Sequence, residues 1–425
     1  MNKKRVVVTG IGVVAPNAVG LEDFRKALRE GRSGIRFIPQ LEELNFGCRI
    51  GGVPPGFNEV RARYFDHEKL LSINDNIGYA SVAAVDAWRD AGFELPDDND
   101  DVDWDTGAIV GCGIGGMDTI AERVVPMIQA GKVRRMGSRI VEQVMNSGTS
   151  ARVGGLLGLG NQVTSNSSAC STSSEAIFGA LQRIRGGLAK RMLAGGSEGA
   201  SPYIWGGFDA MRVIARKFND RPEEGSRPMS ASAAGFVPGA GAGVLMLEDL
   251  ETARARGARI YCEILGGAVN AGGQRNGGSM TAPNPEGVSR CIRSAIADAG
   301  VHADDIDAIN GHLTATFADP SEIRNWSNAL ERGPERFPLV NSTKSMIGHC
   351  LGAAGGIECA AVTLELAEKF LHPSLNCEDV HPEIEAFSDK IVHQTRECPD
   401  LKIIAKSSFG FGDVNSCLIF RTWEG

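Results

Sequence analysis

A β-branched run, Val6-Val7-Val8-Thr9-Gly10-Ile11-Gly12-Val13-Val14, closes on glycines near the start of the chain, and Arg259 to Ala268 repeats that outline in its second half. Each half also carries a polar turn that opens a small-residue helix, at Asn166 to Ile177 and again at Asn341 to Ala367. Between these landmarks, strand-length apolar runs alternate with segments of helical period. Helices are expected from Leu21 to Glu30, ending at Gly31, and from Ile77 to Ala91, stopped by Gly92. Strands are expected at Thr106 to Val110, Arg191 to Ala194 and Val244 to Leu247, with Glu248 to Arg256 as a helical crossover. The class is therefore α/β, and the internal echo predicts two similar halves, 1–255 and 256–425.

Composition narrows the function. A formal net charge of −8 without any long block of Lys and Arg argues against a nucleic-acid surface. Ten cysteines lack a CxxC pair or a Cys/His spacing of the zinc type, so the sequence predicts a reducing compartment and no metal. Lys3, Lys4 and Arg5 ahead of the first apolar run imitate a signal peptide, but Gly10, Gly12 and Pro16 interrupt that run, and a strand with a glycine turn explains it better. No stretch reaches the length of a membrane span, and a cytoplasmic protein is expected. The cluster Gly111-Cys112-Gly113-Ile114-Gly115-Gly116 lacks the spacing of a dinucleotide loop.

Cys170 stands apart from the other cysteines. It lies in Asn166-Ser167-Ser168-Ala169-Cys170-Ser171-Thr172, just before apolar positions recur at Ile177, Ala180, Leu181 and Ile184 with helical spacing. Ser168 and Ser171 are capping types. A helix N-terminus lowers a thiol pKa, so the position predicts a nucleophilic thiolate, whereas the ordinary fate of a lone cysteine is a buried core position. Residues able to serve a thiolate fall in a further group of blocks. His312 ends a strand in Asn310-Gly311-His312-Leu313-Thr314-Ala315-Thr316; Lys344 and His349 share Asn341-Ser342-Thr343-Lys344-Ser345-Met346-Ile347-Gly348-His349; and Ser408-Phe409-Gly410-Phe411-Gly412 forms a glycine turn.

Taken together, these blocks resemble the elongating β-ketoacyl-[acyl-carrier-protein] synthases of the thiolase superfamily. Val8-Thr9-Gly10-Ile11-Gly12, Ser226-Arg227-Pro228 and Gly235-Phe236-Val237 extend the likeness over nearly the whole chain. The resemblance implies a thiolase-like duplicated five-layer αβαβα fold, a dimer of identical or related chains, and an acyl carrier protein as partner, with no cofactor. It makes Cys170 the acyl-accepting nucleophile and His312 and His349 the donors to a malonyl thioester carbonyl. Lys344 would tune the pair and Glu358 would be a structural acid of the site. The N–H groups of Cys170 and Phe409 would form the oxyanion hole, with Phe409 as gate, and Ile114, Thr314, Thr316 and Phe411 would contact substrate. Because such carrier proteins are acidic, a local basic surface is expected to receive one, and the candidates are Lys132, Arg134, Arg135, Arg216 and Lys217.

The chemistry asks for these residue types in its own right. Acyl transfer needs a nucleophile that is also a leaving group, and an enolate needs hydrogen-bond donors at its oxygen. Departures from the family pattern include Leu313 and Ala315 beside His312, and Asp413-Val414 after Gly412. Leu313 and Asp413 are expected to alter the shape or field of the acyl pocket and so to favour a specialised acyl chain. Two other readings compete. A non-catalytic chain-length partner of a ketosynthase heterodimer typically lacks the cysteine, and a coenzyme A-dependent thiolase uses a second cysteine where this chain has histidine.

Overall fold

The computed structural model describes residues 3–97 and 99–425. Its first half supplies strands β1 (Val6–Ala15), β2 (Thr106–Cys112), β3 (Val163–Thr164), β4 (Arg191–Glu198) and β5 (Gly241–Asp249). The second half supplies β6 (Cys262–Ala271), β7 (Ala308–Asn310), β8 (Leu339–Asn341), β9 (Ile403–Gly410) and β10 (Val414–Thr422). The first set lies in the order β3-β2-β4-β5-β1 and the second in the order β8-β7-β9-β10-β6. Counted within its own half, each set has the same order, with the same parallel and antiparallel pairings. The two first strands meet edge to edge, where Val6 to Val8 pair with Ile264 to Cys262.

Six helices complete the layers: α1 (Asp75–Asp90), α2 (Gly148–Leu156), α3 (Thr172–Arg185), α4 (Pro285–Ala299), α5 (Asp319–Leu330) and α6 (Ala354–Glu368). Helices α1 and α2 cover the outer face of the first sheet, α4 and α5 that of the second, and α3 and α6 lie between the sheets. This is the five-layer αβαβα arrangement. A helix sandwiched between two sheets has no solvent face, and α6 is accordingly buried at every position from Ala354 to Leu366. Glycine permits the closest layer contacts. A Cβ on Gly12 of β1 would lie 1.7 Å from the Ala83 carbonyl oxygen of α1, and one on Gly243 of β5 would lie 2.2 Å from the Gly356 carbonyl carbon of α6.

Several elements differ from what the sequence predicts. The strand expected to stop at Ala194 continues to Glu198, because β5 pairs with it through Gly195 and Gly196. The strand expected from Arg259 starts at Cys262, and the crossover helix is confined to Leu250–Ala255. The signal-like N-terminal run is β1, wholly buried. Among the described residues, no helix is long and apolar enough to cross a membrane. All ten cysteines are free, and nine are buried.

Candidate active site

The middle-layer helices set the site. Cys170 sits in a 3-10 turn, Ala169–Ser171, that leads into α3, with Ala169 in the left-handed region at φ 46°. Neither Ser168 nor Ser171 caps the helix. Instead Ser171 Oγ donates across the halves to the Ser408 carbonyl at 3.0 Å, and Ser174 Oγ lies 2.9 Å from Ser408 Oγ. These bonds pin the Cys170 turn to β9.

Two histidines converge on the thiol from the second half. His349 Nε2 is 3.0 Å from Cys170 Sγ, and the Leu351 N–H donates to His349 Nδ1 at 3.2 Å. A neutral ring with Nδ1 accepting carries its proton on Nε2, so His349 presents an N–H toward the sulfur. The loop that contains Gly235-Phe236-Val237 holds this histidine: His349 N donates to the Val237 carbonyl at 2.7 Å, and Gly239 N to the His349 carbonyl at 2.9 Å. His312 follows β7, with its backbone N–H donating to Glu322 Oε1 at 2.6 Å. The two imidazole centroids are 5.3 Å apart, and ligand atoms of Cys170, His312 and His349 all lie within 4.8 Å of one another. Burial, reinforced by the nearby Lys344 charge, holds both histidines well below their ordinary pKa, so both are neutral donors at physiological pH.

The thiol departs from the sequence expectation. Burial pushes Cys170 up to about 11, against the opposing pull of Lys344 and of the Phe411 N–H, while Glu198 and Glu358 push it further up. The helix N-terminus does not outweigh desolvation here. The resting group is a thiol, and its ionised form depends on the donors around it.

Of the two phenylalanines in the glycine turn, it is the Phe411 N–H that acts on the Cys170 thiol, pulling it down, and not that of Phe409. Phe409 is buried among the core residues of the second half, with its ring centroid 6.2 Å from that of His312. The chain passes Cys170 at Gly410, where a Cβ would stand 3.0 Å from Cys170 N, and then turns to half-buried Phe411, whose ring lies 6.1 Å from that of Phe208.

Lys344 is buried and paired with Glu358 of α6, and its carbonyl accepts from Ser226 Oγ at 2.6 Å. It makes no hydrogen bond to either histidine, so its influence on them is electrostatic. Thr314 and Thr316 are half-buried, with their hydroxyl oxygens 3.0 Å apart. Ile114 is half-buried, and its N–H is held by a carboxylate that no local motif singles out. Glu198, at the end of β4, accepts from Gly113 N at 3.1 Å, Ile114 N at 3.0 Å and Gly352 N at 3.0 Å, while burial pushes its carboxyl up to about 7. The glycine cluster after β2 thus cradles an acid of its own chain.

The two departures expected to shape the acyl pocket do other work. Leu313 folds back over Gly311 and joins the core of the second half. Asp413 is buried and accepts from Gln274 N at 2.9 Å and Asn284 N at 2.8 Å, anchoring the loop that precedes α4. Neither observation supports a specialised acyl chain. Of the basic candidates, Lys132, Arg134, Arg135 and Lys217 are exposed without an ion-pair partner among the described residues, whereas Arg216 pairs with Asp209 at 3.2 Å.

A buried cysteine facing two neutral histidines across a duplicated α/β sandwich defines a thiol acyltransferase site of the condensing type. Residues 3–253 match the family described as "Beta-ketoacyl synthase, N-terminal domain", and residues 261–378 match "Beta-ketoacyl synthase, C-terminal domain". The chain belongs to the β-ketoacyl synthase family and is an acyltransferase. It is 36% identical over 428 residues to the chloroplastic 3-oxoacyl-[acyl-carrier-protein] synthase I of Arabidopsis thaliana, covering 99% of this chain and 87% of that one. A beta-ketoacyl synthase from Burkholderia phymatum STM815 superposes with a TM-score of 0.90 at 31% identity, covering 99% and 100% of the respective chains. The AntDE:AntF structure, a type II PKS acyl-carrier protein in complex with its ketosynthase, matches with a TM-score of 0.86 at 27% identity over 99% and 100%.

Proposed function

We propose that the chain carries out decarboxylative condensation with Cys170 as the acyl-bearing residue and a carrier protein as the donor of both substrates. The observation that carries this reading is the convergence of Cys170, His312 and His349 from separate segments onto one buried point. In the first half-reaction, ionised Cys170 attacks the acyl thioester carbonyl, and the carrier's thiolate leaves. The backbone N–H groups of Cys170 and Phe411 hold the oxyanion. In the second, His312 and His349 donate to the malonyl thioester carbonyl, the carboxyl C–C bond breaks and carbon dioxide departs. The resulting enolate carbon attacks the acyl-cysteine carbonyl and releases the Cys170 sulfur. Glu358 holds Lys344 in place, while Ile114, Thr314 and Thr316 line the approach. A chain-length partner typically lacks the cysteine, and Cys170 is present together with His312, Lys344 and His349.

The test is mass spectrometry of the protein after exposure to a panel of acyl-carrier thioesters. The acyl mass should appear on the peptide containing Cys170; acylation of another residue, or of none across the panel, refutes the assignment.

The carrier is received at the exposed basic side chains, with Lys132, Arg134 and Arg135 grouped in and beside a single turn. Arg134→Glu combined with Arg135→Glu should raise KM for carrier-bound substrates about tenfold at low salt and flatten its salt dependence, chiefly through slower association. An unchanged KM at low ionic strength would exclude this surface as the docking site.

The active form is a dimer of two such chains, each divided into halves at residue 255. The short edge strand β3 ends the sheet, and Ile128 and Val141 expose apolar side chains. Sedimentation equilibrium should return twice the chain mass, and a monomer at micromolar concentration would contradict it.

A further inference from the structure

Glu358 is held by a second buried lysine as well as by Lys344. Lys406 projects from β9 with no exposed surface, and its Nζ lies 2.5 Å from Glu358 Oε2 while Lys344 takes Oε1. The same ammonium donates to the Ser407 carbonyl and, at 2.8 Å, to Ser408 Oγ. Ser408 in turn holds both Ser171 and Ser174 at the start of α3. Two ammonium groups on one carboxylate leave a surplus positive charge in a buried interior. Burying such a surplus is costly, so its retention calls for a role.

We propose that Lys406 is a positioning residue that occupies one oxygen of Glu358 and thereby leaves the Lys344 charge uncompensated toward the thiol and the histidines. The groups facing that space are His312 and His349, Glu358 of α6, Glu198 of β4 and Glu322 of α5. Glu198 and Glu322 each bind backbone N–H groups, and burial pushes both carboxyls up to about 7, so neither fully neutralises the lysines near neutral pH. The surplus charge favours the Cys170 thiolate and disfavours imidazolium at both histidines. Both effects serve condensation, which needs a thiolate in its first half and neutral N–H donors in its second. Lys406 acts at a distance, by fixing where the Glu358 charge falls.

This inference rests on Cys170 being the nucleophile, and the experiment separates the two. The rate of Cys170 alkylation by iodoacetamide is followed by peptide mass spectrometry from neutral to alkaline pH in the full-length protein. Lys406→Met removes one positive charge and should move the alkylation midpoint up by about one pH unit, the scale of a nearby charge in a buried site. Glu358→Gln removes the negative charge and should move it down. The two changes together restore the net charge of the cluster, and the midpoint should return toward wild type. Lys406→Arg keeps the charge and should leave the midpoint in place. If Lys406→Met fails to fold, Glu358→Gln read beside Lys406→Arg still decides the matter: water admitted by loosened packing would relieve the burial that holds the thiol up and lower the midpoint in both variants, whereas the charge change lowers it in Glu358→Gln alone. A labelled Cys170 with the same midpoint in wild type and Glu358→Gln, or shifts of one sign in both single variants, overturns the role of Lys406. Absence of labelling at Cys170 overturns the nucleophile assignment and this inference with it.

Discussion

Cys170→Ala should lose condensation by roughly 10⁶-fold, the scale of deleting a nucleophile that acts as part of a unit, while keeping its fold. The substitution removes only a sulfur, worth about 1 kcal/mol of burial, and Cys170 belongs to none of the large apolar clusters. His312 and His349 remain in place to donate to a malonyl thioester carbonyl, so the variant should still release carbon dioxide from it. Condensing activity near the wild-type level would end the assignment, and radiolabelled product formation from a preloaded acyl donor measures it directly.

His312→Ala and His349→Ala should separate the two half-reactions. Each removes one donor from the enolate oxygen, and donors of this kind are worth about 10²–10³ in rate. Acyl transfer to Cys170 should fall less, because the backbone donors around the sulfur are untouched. His349→Ala should affect transfer more than His312→Ala does, since only the His349 nitrogen is in hydrogen-bond contact with the thiol, at 3.0 Å. Loading is read by intact mass and decarboxylation by released carbon dioxide. A variant that decarboxylates normally but cannot be acylated would reverse the roles of cysteine and histidine donors.

Much of this architecture was legible from local pattern. The helix Leu21–Glu30 ends at Gly31 with φ 62°, as its glycine stop predicts, and the buried strands announce themselves as β-branched runs. The repeated strand order follows from the echo between Val6 and Arg259. What escaped was set by contacts between distant segments. A helix N-terminus can be read from sequence, but the depth at which Cys170 lies under β9 cannot, and that depth decides its pKa. Lys406 follows the apolar run Ile403-Ile404-Ala405, and nothing in its local sequence marks a buried cation. It is buried because α6 covers that face of the second sheet. The choice between Phe409 and Phe411 depended on where the chain turns past Gly410, which only the pairing of β9 with β10 fixes. Glu198 was hidden by the same cause, since its partners come from the loops after β2 and before α6.

The duplicated topology carries a consequence for how the protein is made. The nucleophile turn is translated long before the histidines, since His349 follows Cys170 by 179 positions, and Phe411 emerges later still. A nascent chain that has closed only its first sheet has Cys170 and Glu198 but neither histidine, no Lys344 and no Phe411 N–H. The groups that surround the sulfur come together only after the second half has folded against the first. The order of synthesis thus leaves the half-built enzyme unable to condense.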